Sequence, residues 1–208
     1  EATYWSAATY CTTLPPNWIL GPSNIVGVQR NLQLLQERIV DGWITGLPDL
    51  PTSAQPEFCS IILTRMPVFF TCSAEHPLLD KRGLSYSDLA EYPTLALPTG
   101  AYPRVEASLK AIGLWSDAVR MTRYRRDKWE GRTEEELVIG YGTPLSLRVS
   151  GQNLRRLPLL LPFQSGDAFV VRREFASHPR VKDLLEHLLA AIRNLADDDP
   201  EIAVQGLP

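Results

Sequence analysis

The chain closes on "SHPRVKDLLEHLLAAIRNLADDD", and this stretch constrains the fold more than any other. Val181, Leu184, Leu185, Leu188, Leu189, Ile192 and Leu195 recur at helical spacing. Ser177 stands where a cap belongs, and the acidic run 197–199 with Pro200 ends the pattern. A helix with so complete an apolar stripe has to bury it against other elements. Upstream, short apolar β-rich segments alternate with helical patterns, which marks an α/β chain. Residues 201–208 read as a frayed tail.

The upstream elements follow from local signals. "ATYWSAATY" is a first apolar segment, and the threonines and prolines of "CTTLPPNW" suit a helix start. "SNIVGVQ" reads as a strand. "NLQLLQERIVDG" reads as a helix with Leu32, Leu34, Leu35, Ile39 and Val40 on one face and Gly42 as its stop. "WITGLP", "FCSIILTR" and "MPVFFTCS" are strand-like. Ser85 and Asp88 form a box-like cap for a short helix. "TLALPTG" is a strand ending in a turn. "YPRVEASLKAIG" is a helix with Val105, Leu109 and Ile112 inward, closed by Gly113, and "AVRMTRYR" is a strand. Thr133 with Glu136 predicts a helix from about Glu134, packed on a sheet by Leu137, Val138 and Ile139. Gly140 and Gly142 then bracket Tyr141 as a helix stop and a close backbone approach, and "TPLSLRV" and "AFVVRRE" read as strands.

Composition excludes some functions. Of 208 residues, 44% are hydrophobic and 22% charged, and the longest apolar stretch, "LPLLLPF", is far too short to span a bilayer. A net charge of −3 makes this segment a poor grip for nucleic acid, which needs clustered Lys and Arg. The one basic run, "RMTRYRRDKWEGR" at 120–132, reads as a solvated strand edge and loop rather than an anion site. Cys11, Cys59 and Cys72 are odd in number and irregularly spaced, which fits buried thiols in a reducing compartment. Cys72 and His76 are four apart, with no second pair to complete a zinc site. His76 and His178 each precede a proline, and His187 falls on the polar side of a helix. With no nucleophile elbow, P-loop or dinucleotide fingerprint, the chain reads as a non-enzyme without cofactor or metal.

Four motifs in order resemble one family, the LysR-type transcriptional regulators. "EHPLLDKRGLSYSDLAEYPTLALP" resembles its His-Pro-Leu loop, helix and strand, and "EELVIGYGTPLSL" its Leu-Val-x-x-Gly-x-Gly segment. "VVRREFASHPRVKDLLEHL" resembles its closing strand and helix, and "RIVDGWITGLP" its Gly-containing turn, although the family's usual Asp after that Gly is missing from "GWIT". The resemblance implies the C-terminal effector-binding half of such a regulator. It would be two Rossmann-like α/β lobes of the type 2 periplasmic-binding-protein kind, joined by two crossover strands. Lobe I would take residues 1–65 with 165–208, and lobe II residues 66–164. It further implies a winged helix-turn-helix upstream of Glu1, a homodimer or homotetramer, DNA contact through the upstream domain alone, RNA polymerase as a further partner, no membrane and a cytoplasmic location. The rival reading is an exported solute-binding protein of a transport system with the same two lobes.

In open α/β sheets, ligands sit beyond the carboxyl ends of strands, facing helix N-termini. A small, organic, anionic effector in the inter-lobe cleft would thus meet Thr9, Tyr10 and Thr12 of the first turn. Arg30 and Asn31 before a lobe I helix, with Arg30 as a bidentate partner, and Thr99 and Gly100 before a lobe II helix would join them. Gly142 and Thr143 would line the lobe II wall, while Tyr141 fits wall or core. Each Thr or Asn also fits as a plain helix cap.

Overall fold

The computed structural model describes residues 27–121, 126–135 and 137–206. The chain forms two compact units: Glu1–Met66 with Ser165–Pro208, and Pro67–Gln164. It passes from one to the other at two long strands, β3 (Thr64–Ser73) and β7 (Leu154–Ser165). The segment 1–26, with its expected first strand and helix, lies outside the described residues.

In unit 1, helix α1 (Val28–Gln36) packs on an antiparallel sheet ordered β1–β8–β2, with β1 at Gly42–Gly46, β2 at Phe58–Ile62 and β8 at Asp167–Arg172. The expected α1 face is present in Leu32, Leu34 and Leu35, all buried. The expected end is not. The helix begins three residues earlier than its pattern, taking Val28 and Gln29 from the expected strand and Arg30 from the expected turn, and it stops at Gln36. Arg38 turns left-handed at φ 60°, so Ile39 points outward and is 60% exposed. Arg172 makes this early stop stable, because its Nη1 donates to the carbonyls of Leu35 (2.8 Å) and Val40 (3.1 Å). Gly42 therefore ends no helix. It opens β1, where a Cβ would overlap the ring of Phe169.

The closing helix, α6 (Pro179–Ala196), buries Val181, Leu184, Leu185, Leu188, Leu189 and Ile192 as expected. Its cap is His178 rather than Ser177: the imidazole accepts from the Arg180 amide at 3.2 Å. The tail after it is not frayed over its described residues, 201–206. Left-handed Asp197 and Asp198 reverse the chain, Ile202 is buried, and β9 (Ala203–Val204) pairs with the start of β3 (Thr64–Ser73). Two apolar residues and a strand edge in want of a partner outweigh the tail's short length and position.

In unit 2, β3 runs between β6 (Gly140–Gly142) and β7 (Leu154–Ser165), and β4 (Leu95–Ala96) lies parallel to β5 (Val119–Arg120). Three expectations are corrected here. Helix α4 spans Arg126–Glu135, so Thr133 lies inside the helix and not at its start; its hydroxyl donates to the Trp129 carbonyl at 2.9 Å. The basic run is in part this helix, held by buried Trp129 and Thr133. Gly140–Tyr141–Gly142 is a strand and not a helix stop, and its glycines admit Thr133, Thr71 and Ser146 side chains where a Cβ would stand. Finally, "PLSLR" is helix α5 (Pro144–Arg148) and not a strand. Thr143 caps it, Pro144 takes its first position, and Ser146 completes a capping box.

Helix α2 (Tyr86–Leu89) carries the Ser85–Asp88 box as expected. Lys81 and then Ser85 hydrogen-bond Asp88 and hold its carboxyl down to about 2. A folded value below the unfolded one means that this group's contribution is complete above the unfolded carboxylate range and is lost as pH falls through the folded value. Carbon-detected NMR titration should therefore place the Asp88 midpoint near 2. A midpoint at the ordinary carboxylate value would show that the box and the Lys81 pair are absent in solution.

Candidate functional site

In unit 2 the candidate residues converge through strand direction. Thr94 forms a parallel bridge with Ile139, and the Leu95 amide donates to the Ile139 carbonyl at 2.8 Å. The chain through β4 thus runs alongside the chain entering β6, and both leave the sheet at their carboxyl ends in one direction. Each then turns into a helix: 98–102 leads to α3 (Pro103–Ala111), and Thr143 leads to α5. Thr99, Gly100, Gly142 and Thr143 therefore share one end of unit 2, where strand carboxyl ends and helix N-termini face a ligand in open α/β sheets.

The amides at this end are not idle. Gly100, at φ 75°, donates its N–H to Glu106 Oε2 at 2.8 Å. The Thr143 amide donates to Ser146 Oγ at 2.8 Å, and the Thr143 hydroxyl accepts from the Ser146 amide. Two of the N–H groups expected to be free, those of Gly100 and Thr143, are therefore taken by the chain's own side chains. Thr99 remains exposed. Tyr141 lies on the opposite strand face from Gly140 and Gly142. Its ring meets Trp129 edge to face at 4.8 Å, its hydroxyl is buried without a partner, and burial pushes the phenol well above its ordinary value.

In unit 1 the expected pair divides. Arg30 and Asn31 do not precede the helix; both lie within α1, whose N-cap is Gly27. Consecutive helical residues point about 100° apart. Arg30 is exposed, donates to Gln33 Oε1 at 3.0 Å, and lines a groove of about 510 Å³ with Gln29, Gln36, Gln55 and Glu57. Asn31 is 1% exposed, and its Nδ2 has no partner. An orphaned amide donor of this kind is uncommon in a folded core, and sequence offered no signal for it. Thr9, Tyr10 and Thr12 lie outside the described residues.

Elsewhere, Cys72 is buried, and burial pushes its thiol up to about 11. His76 is buried as well, its Nδ1 accepting from the Leu78 amide at 3.2 Å. Among the described residues, no group of three or more His, Cys, Asp or Glu is placed to hold a metal ion, and no helix is long and apolar enough to cross a membrane.

Residues 25–121 match the family model of the LysR substrate binding domain. No curated protein matches the chain by sequence. The fold is similar to that of the BenM effector binding domain with its effector benzoate (18% identity, TM-score 0.59, 83% of this chain and 78% of that one). It is also similar to the effector binding domain of QuiR in complex with shikimate (14% identity, TM-score 0.60, 79% and 77%). A third likeness is to a full-length OxyR variant from Pseudomonas aeruginosa (16% identity, TM-score 0.62), where the match covers 95% of this chain and 64% of that one. By sequence, residues 25–121 match the LysR substrate binding domain, and over most of its length the fold is similar to the effector binding domains of BenM and QuiR.

Proposed function

We propose that this chain is the non-enzymatic sensing part of a cytoplasmic transcriptional regulator that assembles as a homodimer or homotetramer. It binds a small organic molecule and passes the effect to a DNA-binding domain of the same protein and on to RNA polymerase. The single observation behind this reading is the LysR substrate binding domain match over 25–121. That match favours a regulator over a transport protein of like fold. The unit 2 end bearing Thr99, Gly142 and Thr143 is the ligand contact we propose there, and in unit 1 it is the free Nδ2 of Asn31. BenM and QuiR are seen with benzoate and shikimate, so small organic acids and their alcohol and amide analogues form the first panel.

A ligand shifts a conformational equilibrium only by its differential affinity for the two states. The experiment is calorimetric titration of the panel, followed by Thr99→Val and Asn31→Leu. Each variant removes one hydrogen-bonding group, and affinity should fall about 5- to 30-fold, the equivalent of roughly 1–2 kcal/mol. Affinity unmoved in both variants would mean that the ligand is held elsewhere.

A further inference from the structure

The 98–102 turn already holds a carboxylate. Glu106, in the first turn of α3, accepts the Gly100 N–H on Oε2 at 2.8 Å and pairs through Oε1 with Lys110 Nζ at 2.7 Å. Its side chain is only 12% exposed. Lys110 is itself braced: its Nζ lies 5.6 Å from the Trp115 ring centroid, and Arg120 stands 4.8 Å from the same ring while donating to the Trp115 carbonyl. Both carboxylate oxygens are thus engaged, and the positive end of α3 meets a fixed negative charge of the protein's own. A ligand carboxylate at Gly100 would have to displace Glu106 or stand beside it against like-charge repulsion. Elsewhere in unit 2 the buried Tyr141 hydroxyl has no hydrogen-bond partner, and burial first and Tyr102 second disfavour its ionisation.

We propose that Glu106 determines the specificity of this turn, which takes an uncharged hydroxyl- or amide-bearing part of a ligand and turns a carboxylate away. The inference rests on the reading of the turn as a ligand contact, and it replaces the anion seat expected from sequence. Lys110 first, and Gly100 second, hold the Glu106 carboxyl below its ordinary range, so the charge persists at neutral pH.

The test is benzoate titration of the full chain and of Glu106→Gln and Glu106→Ala, followed by backbone amide shifts. Gln removes the charge and keeps an acceptor for Gly100; Ala removes both. In the unaltered chain, benzoate should leave the Thr99 and Gly100 amides unmoved. Both variants should gain benzoate binding there by about tenfold or more, Ala the more strongly, the equivalent of about 1.4 kcal/mol. Equal shifts in all three proteins would overturn the proposal, and so would no shift at these amides in either variant. The Thr99→Val and Asn31→Leu titrations use ligands found without reference to Glu106, so the sensing reading fails separately.

Discussion

Phe169→Ala is expected to destabilise unit 1 by about 3–5 kcal/mol, and Gly42→Ala by about 1–3 kcal/mol, with the double variant well short of the sum. Phe169 is 2% exposed in the central strand β8, with antiparallel neighbours on both sides, so its removal leaves a cavity the sheet cannot close. Gly42 lies on β1 opposite Val171, and the Phe169 ring occupies the space its Cβ would need. An alanine there forces the ring off its rotamer. Once the ring is gone, the same methyl helps to fill the void. Urea unfolding of the four proteins, with hydrogen exchange in β1 and β8, measures the coupling. A favourable interaction of about 0.5–3 kcal/mol is expected for side chains in contact. Additive effects would mean that Gly42 serves the backbone rather than the ring, closer to the stop its sequence suggested.

Gly42 shows where sequence was and was not informative. A glycine after an apolar run of helical period fits a helix stop, and only the distant Phe169 explains it otherwise. Features carried by local chemistry were legible: the apolar stripe of α6, the Ser85–Asp88 box, and β2 and β3 with one residue between them. Helix α5 was equally local, since Thr-Pro-x-Ser is a cap, a first-turn proline and a box partner. Its apolar residues drew it instead toward a strand. Helix α4 carried no such signal: its segment is almost wholly polar, and what fixes it is Trp129 meeting Tyr141 twelve residues on.

The site followed the same rule. The end of unit 2 where Thr99 lies was legible from a strand, a turn and a helix in order; the same order around Thr143 was not, because its segment was read as a helix followed by a strand. What occupies the amides there was not legible either. Glu106 reaches Gly100 across six residues, and Ser146 reaches the Thr143 amide across three. The six-residue spacing announces no bond, whereas the three-residue one is that of a capping box inside a segment read as a strand. Arg30 was misplaced because the α1 start lies at Gly27, where no Ser, Thr, Asp or Asn marks it.

Ile202→Ala should cost about 2–5 kcal/mol, and removal of residues 201–208 should act on the same place. Ile202 is 6% exposed, β9 pairs Ala203 with Arg65 and Val204 with Thr64, and the Gln205 amide donates to the Leu63 carbonyl at 2.8 Å. These bonds fall where β3 is about to leave unit 1. The chain just past the other crossing strand, at Gly166 and Asp167, is fastened there too. The Thr64 hydroxyl donates to Asp167 Oδ2 at 3.0 Å and accepts the Asp167 amide at 2.7 Å, and a Cβ on Gly166 would overlap the Thr64 carbonyl. Losing β9 should therefore speed hydrogen exchange at residues 63–65 and at Asp167. The β3 amides paired with β6 at 69–71 in unit 2 should keep their protection. If exchange rises equally along all of β3, the tail supports the whole fold and not this junction. If it rises nowhere, the pairing contributes nothing in solution, and the frayed tail read from the sequence was the better description.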